Sequence, residues 1–324
     1  MLEMSAASSR NPFAAIFDRP EIPSLAFLTL LSTVFALTTG GFASGGNLMG
    51  ILQQAAPIAI VALALNQVVI AGEIDISMGS MVAALAFVFA GLAQTTGNPW
   101  MALAATVSCG ALFGSLNGLL IAYARIPSII ATLGTLMVLR GGLLICAGNL
   151  TLYAQPAARF FGSGTIFGVP IEVVTFAVVL VSFAVLSSQT SFGRQVYAVG
   201  GNERAARDVG IPVERVKWLA FTLVGICAAV TSAVFVGQVA AMQANAAAGF
   251  ELKVIAAVVL GGTSLSGGRG SNLSPVIGAL LLSVILNATA LNRVPPTFES
   301  LILGIIILTS VTFVGIRARF AAKD

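Results

Sequence analysis

Apolar runs of about twenty residues recur along almost the whole chain, each near the length a helix needs to cross about 30 Å of hydrocarbon. Ten can be drawn: Ile22 to Phe42, Leu48 to Ile70, Ile76 to Ala93, Trp100 to Ala124, Ser128 to Ala147, Val169 to Ser188, Val216 to Met242, Leu252 to Ser266, Leu273 to Leu291 and Phe298 to Arg317. The eighth is short. The runs are continuous, without the alternation that a membrane β-strand needs, so the fold class predicted is an all-α polytopic membrane protein of about ten transmembrane helices. Composition agrees: 57% of the 324 residues are hydrophobic, against about 45 to 50% in ordinary soluble domains.

Basic residues in short loops stay on the cytoplasmic side of a membrane and so set orientation. With both termini cytoplasmic, that side holds Arg10, Arg19, Arg125, Arg194, Arg204, Arg207, Arg215, Lys217, Arg269, Arg317, Arg319 and Lys323. The far side holds only Arg159 and Arg293, while Arg140 and Lys253 lie within or near spans. The net charge of +4 therefore has a topological origin and gives no reason to expect nucleic acid as a partner. The polar start of the chain lacks a basic stretch leading into a short apolar core, so the first span is expected to remain attached. The expected organisation is an N-terminal cytoplasmic tail (1–21), a transmembrane domain (22–320) with a cytoplasmic segment at 190–215, and a short cytoplasmic tail (321–324).

Several chemistries are excluded. The chain has no histidine, which removes histidine-based metal sites and Ser-His-Asp hydrolysis. None of its lysines (Lys217, Lys253, Lys323) follows a glycine, so it has no phosphate-cradling G-x-x-x-x-G-K-[ST] loop, and nucleotide energy must come from another chain. No catalytic residue, metal or cofactor is expected. Cys109, Cys146 and Cys227 each fall in an apolar run without C-x-x-C spacing and read as small buried hydrophobes. Gly110, Gly114 and Gly118 recur every four residues and form a seam for close helix packing.

Three constellations carry information. The first is "AVGGNERAARDVGIPVERVKW" (Ala198 to Trp218), where charge concentrates in an otherwise oily chain. Glu203 to Val209 predicts a short helix exposing Arg204, Arg207 and Asp208, with Ala205 and Ala206 allowing close approach and Gly210 and Pro212 ending it. A merely orienting loop would need scattered Lys and Arg, not a bounded helix. The second is "AGEIDISMGS" (Ala71 to Ser80), with Glu73 and Asp75 between strongly apolar spans, where ionisable groups are rare. Asp75 could instead cap a helix starting near Ile76. An echo links "VVIAGEIDISMGS" (Val68 to Ser80) with "VVLGGTSLSGGRGS" (Val258 to Ser271). The third is polar residues within spans: Asn66 and Gln67, Asn117, and Ser128, Thr132 and Thr135 on one helix face, with Arg140 beyond them. Hydroxyl and amide groups suit a path for a polyhydroxylated solute, although such side chains also bond their own helix. Arg140 is expected to face the protein interior, or else to snorkel to the outer surface.

"AGEIDISMGS" resembles the G-[GE]-I-D-[LI]-S-x-G-S signature of the ribose-type permeases, membrane subunits of bacterial ATP-binding-cassette importers for monosaccharides, with Gly72, Asp75, Ser77 and Gly79 at its fixed positions. "IPSIIATLGTLMVLRGG" (Ile126 to Gly142), "FGRQVYAVGGNERAARDVGI" (Phe192 to Ile211) and "IAAVVLGGTSLSGGRGS" (Ile255 to Ser271) match other stretches of that family in the same order. Many members carry Gly where Glu73 stands. The resemblance implies a translocation path built from two permease chains (a homodimer or a pair of related paralogues), a cytoplasmic ATP-binding subunit that hydrolyses ATP, and a periplasmic sugar-binding protein, in the bacterial inner membrane. It makes Glu203, Arg204, Ala205, Ala206, Arg207, Asp208 and Gly210 the segment that docks the ATPase. The substrate class implied is a monosaccharide or related polyol, with nucleosides and quorum-signal sugars carried by the same architecture. The rivals from other classes are an ion-coupled secondary transporter of a small polar solute, a membrane-embedded enzyme and a passive channel. An ion-coupled carrier needs charged or carbonyl groups near the midplane, and Glu172, Glu251 and Glu299 are all expected near outer span ends.

Overall fold

The computed structural model describes residues 21–148, 150–239, 241–295, 297–299, 301–306 and 308–309. Among these residues eight helices are long and apolar enough to cross a membrane: α1 (Glu21–Thr38), α2 (Gly45–Ile70), α3 (Met78–Thr96), α4 (Pro99–Ala122), α5 (Ser128–Ala147), then α7 (Ile171–Gln189), α10 (Val213–Val239) and α12 (Leu273–Leu291). Between them lie the shorter helices α6 (Phe160–Ser163), α8 (Ser191–Gly201), α9 (Glu203–Asp208) and α11 (Phe250–Leu260). The chain is an all-α polytopic membrane protein. Among the described residues the strands are four two-residue pieces: β1 (Leu152–Tyr153) pairs antiparallel with β4 (Ala241–Met242), and β2 (Thr165–Ile166) with β3 (Val169–Pro170). The β2/β3 hairpin turns through Phe167 and Gly168, both at positive φ, as a two-residue loop requires.

Two expected spans differ. The eighth, Leu252 to Ser266, is in fact the 11-residue α11, about 16 Å long at 1.5 Å per residue and so about half a bilayer core. It stops because Gly261 and Gly262 follow, Gly262 at φ 100°, and a left-handed residue there ends the helix. Half of the tenth, Phe298 to Arg317, lies outside the described residues; its described residues up to Ile306 belong to an apolar helix, Thr297–Ile306. Residues 1–20 and 321–324, with the tails assigned to them, also lie outside.

Local chemistry sets the breaks. Gly97, at φ 65°, ends α3; Asn98 then starts α4, its side chain accepting the amide protons of Trp100 and Met101 at 3.0 and 3.2 Å, with Pro99 in the first turn. The core is built on α2, α10 and α12, each two-thirds buried, together with α3 and α11. The glycine seam is where α10 packs on α4: a Cβ on Gly110 would meet the Gly225 carbonyl oxygen at 2.3 Å, and one on Gly114 the Phe221 carbonyl oxygen at 2.3 Å. Close packing accounts for all three seam glycines, Gly118 abutting Trp218. Of the cysteines, Cys227 is buried, Cys109 partly so and Cys146 exposed on α5, because α5 shows most of its surface outward.

The sequence echo has a structural counterpart. Helix α2 ends with the amides of Ala71, Gly72 and Glu73 bonded to the carbonyls of Gln67, Val69 and Val68, and α11 ends with those of Gly261, Gly262 and Thr263 bonded to Ala257, Val259 and Val258. Both are Schellman closures on a left-handed glycine. The two ends meet: the Gly268 amide donates to the Ile70 carbonyl at 2.8 Å, and Thr263 Oγ1 donates to Asn66 Oδ1 at 2.6 Å. Helix α8 lies across this junction.

Candidate functional site

The charged segment is folded rigidly onto the bundle. Asn202 Oδ1 accepts the Ala205 amide proton at 3.0 Å and starts α9. Gly210, at φ 83°, and the Ile211 amide, bonded to the Ala206 carbonyl at 3.0 Å, end it before Pro212. Glu203, Arg204, Ala205, Arg207, Asp208 and Gly210 are exposed. Ala206 alone is buried, in an apolar cluster with Ile70, Ala71, Val196, Val199, Val213 and Val216. Helix α9 therefore presents charge outward and is seated by one small side chain.

Ion pairs tie it further. Arg207 bridges Glu203 (3.1 Å) and Glu214, and Lys217 Nζ donates to Glu203 Oε2 at 2.8 Å and to Glu73 Oε1 at 2.6 Å. Hydrogen bonding from Lys217 holds the Glu203 carboxyl below the usual carboxylate range; burial opposes it, and the Lys217 charge and the Arg207 hydrogen bond add to the lowering. These residues line a cleft of about 290 Å³ with Arg125, Ile126 and Pro127. Lys217 and Glu73 are mostly covered, with 12% and 16% of their side chains exposed.

Glu73 leads into the signature loop. Gly72 sits at φ 85° in the closure of α2. Buried Asp75 accepts, on Oδ1, the amide proton (2.8 Å) and the hydroxyl proton (2.6 Å) of Ser77. Its carboxylate thus closes a turn just before α3 and takes one amide rather than capping a helix that starts at Ile76. Asn117 Nδ2 donates to Ser77 Oγ at 2.9 Å, and Thr135 Oγ1 donates to Asn117 Oδ1 at 2.6 Å. The loop is fastened to α5 a second time, by the Ile74 amide on Ser128 Oγ at 3.3 Å. Gly79, in the first turn of α3, has no room for a Cβ, which would stand 1.8 Å from Glu251 Oε2. Gly79 is 17 residues from Thr96, about 25 Å along α3. Glu251 therefore lies far from the Thr96 end of α3, because the loop at 243–249 runs back into the bundle; this corrects its expected place at an outer span end.

The structure thus brings together Asp75, Ser77, Asn117, Thr135 and Ser128. It does not place the other side chains in this side-chain network. Asn66 is buried against the second loop, bonding Thr263 and the Ser271 carbonyl. Thr132 donates to the Ser128 carbonyl of its own helix at 2.7 Å. Arg140 faces inward and donates to the Ala244 and Ala246 carbonyls at 3.3 and 2.9 Å, which fixes the re-entrant loop to α5. Sequence reasoning missed Lys217 as a site residue, since it counted only as a loop charge; a lysine one helical turn inside an apolar span is the available signal. Among the described residues no group of three or more His, Cys, Asp or Glu could hold a metal.

The comparisons with known proteins agree in direction. Residues 47–311 match the family described as "Branched-chain amino acid transport system / permease component". The chain is 39% identical to the probable ABC transporter permease protein YphD of Escherichia coli K12, over 90% of this chain and 88% of that one. It is 34% identical to the ribose import permease protein RbsC of the same strain (94% and 96%) and 33% identical to the autoinducer 2 import system permease protein LsrC of Escherichia coli O9:H4 (95% and 90%). No solved structure matches. A transmembrane chain matched over nearly its whole length by these relatives is a transport subunit, and it belongs to the branched-chain amino acid transport system / permease component family, among the ribose-type permeases of ATP-binding-cassette importers.

Proposed function

We propose that the chain forms the translocation path of an importer for a monosaccharide or related polyol in a bacterial inner membrane. A separate ATP-binding subunit drives it, a periplasmic binding protein feeds it, and a second permease chain, identical or paralogous, completes the path. The observation that carries this reading is α9: six residues with both ends closed, charge outward, and Glu203 and Arg207 locked in ion pairs. A helix held this stiffly passes displacement on to the bundle, which a loose loop would absorb. The substrate class is supported by the likeness to the ribose and autoinducer 2 import permeases and by the hydroxyl and amide character of the Ser77, Asn117 and Thr135 chain. ATP binding and hydrolysis in the partner would move α9 and shift the bundle between states open to either side.

The test is reconstitution. The chain, co-expressed with the ATP-binding subunit of its own operon, is expected to co-purify with it and to accumulate D-ribose or a related sugar in proteoliposomes only when ATP and the binding protein are present. Accumulation by the chain alone under a proton or sodium gradient would contradict the proposal.

A further inference from the structure

We infer that Lys217 is a positioning residue that makes the signature loop follow the charged helix α9, so that displacement of α9 reaches α4 and α5. The inference rests on the reading that Glu203 to Gly210 docks an ATPase, and it names the step that follows docking.

A six-residue helix seated by one alanine has little grip of its own. Arg207 ties it to Glu214 of α10, and its polar link to the signature loop is the pair of carboxylates that share one ammonium: Glu203 of α9 at 2.8 Å and Glu73 of the loop at 2.6 Å. Lys217 is 12% exposed, so releasing either carboxylate leaves a mostly covered charge short of compensation, and the bridge resists opening. Lys217 itself stands on the first turns of α10, close to the Trp218 contact of the glycine seam. Two residues beyond Glu73 the loop is bonded onward, through Asp75, Ser77 and Asn117 to Thr135, and through Ile74 to Ser128. A pull on Glu203 is therefore delivered to the loop that holds the ends of α4 and α5 in register. Spatial continuity alone does not establish coupling, so the test measures coupling.

Hydrogen exchange is followed by mass spectrometry on the purified chain in lipid nanodiscs, over peptides covering 68–80 and 200–212. The amides of Gly72, Glu73, Ile74 and Ser77 are all hydrogen-bonded and report loosening of the loop. Glu203→Gln and Lys217→Met are each expected to speed exchange at residues 72–77 by about tenfold, with Lys217→Arg near wild type. The double variant Glu203→Gln/Lys217→Met is expected to go no further than Lys217→Met, since both changes cut the same connection. Loosening by Glu203→Gln confined to 203–210, with 72–77 unchanged, would overturn the inference; this variant alters a half-exposed side chain and so decides the matter even if Lys217→Met fails to fold. With the ATP-binding subunit bound, ATP and vanadate are expected to change exchange at 72–77 in the wild type and not in Lys217→Met, and an equal response in both would also overturn it. Failure of that subunit to bind the wild-type chain would contradict the docking reading instead, leaving the exchange cycle to judge the bridge.

Discussion

Gly200 of α8 lies against the carbonyl oxygen of Ile70, so close that a Cβ built on the glycine would stand 1.6 Å from it. Neither atom can give way cheaply, because both belong to backbone at the junction of α2, α8 and the 263–272 loop. Gly200→Ala is expected to push α8 off this junction and to destabilise the protein by about 1 to 3 kcal/mol, the usual cost of overpacking. Gly201→Ala, whose Cβ would meet nothing within 4 Å, is the control and is expected to unfold as the wild type does. Thermal unfolding in detergent compares the two; equal midpoints would contradict the packing described.

Asn117 is the middle member of the buried chain from Asp75 to Thr135 and bonds on both sides. Asn117→Ala leaves Ser77 without its donor and Thr135 with only its own helix carbonyl, at an expected cost of about 1 to 3 kcal/mol. Asn117→Asp keeps the acceptor for Thr135, loses the donor to Ser77 and brings a second carboxylate towards Asp75, so it is expected to be the worse of the two. The order of their unfolding midpoints checks this.

Thr132 is the contrasting case. It is fully buried and shares a face with Ser128 and Thr135, yet its hydroxyl is satisfied by its own helix backbone. Thr132→Val is expected to leave sugar uptake within about twofold of wild type, since a self-bonded hydroxyl has no proton to offer a solute. Uptake lost in this variant, with normal membrane levels, would put Thr132 in the path.

The spans themselves were legible. Ser128 to Ala147 and Leu273 to Leu291 coincide at both ends with α5 and α12, because proline or loop residues flank an unbroken apolar run. Leu252 to Ser266 reads too long from sequence because averaged hydropathy passes over Gly262, whose left-handed backbone, not its polarity, ends the helix. The charged helix was also legible, its Asn and Gly boundaries being local signals. The bridge from Lys217 to Glu73 was not: the partners are 144 positions apart, and nothing near either residue announces the other. Asn66 and Asn117 looked alike in sequence and differ only in which loop the fold brings to them.

Glu203 gives a pH dependence. Its folded carboxyl is held below the ordinary carboxylate range by Lys217 and Arg207, so its contribution to stability is present above its unfolded pKa and is lost as pH falls through the folded one. The pair is partly exposed and its contribution is small. The difference in thermal midpoint between wild type and Glu203→Gln is expected to be present at neutral pH and to vanish on acidification below the usual carboxylate range. A difference that persists there would mean that the substitution acts by some route other than charge.

For an ATP-binding subunit to drive the bundle, α9 must be a face that a cytosolic partner can grip. Val209, 76% exposed beside it, supplies the measurement: Val209→Cys, with Cys109, Cys146 and Cys227 replaced by serine or alanine, is treated with a membrane-impermeant maleimide in intact spheroplasts and in inverted membrane vesicles. Labelling is expected in the inverted vesicles alone, with protection there when the ATP-binding subunit is bound. Labelling from outside intact spheroplasts would contradict a cytosolic grip on α9.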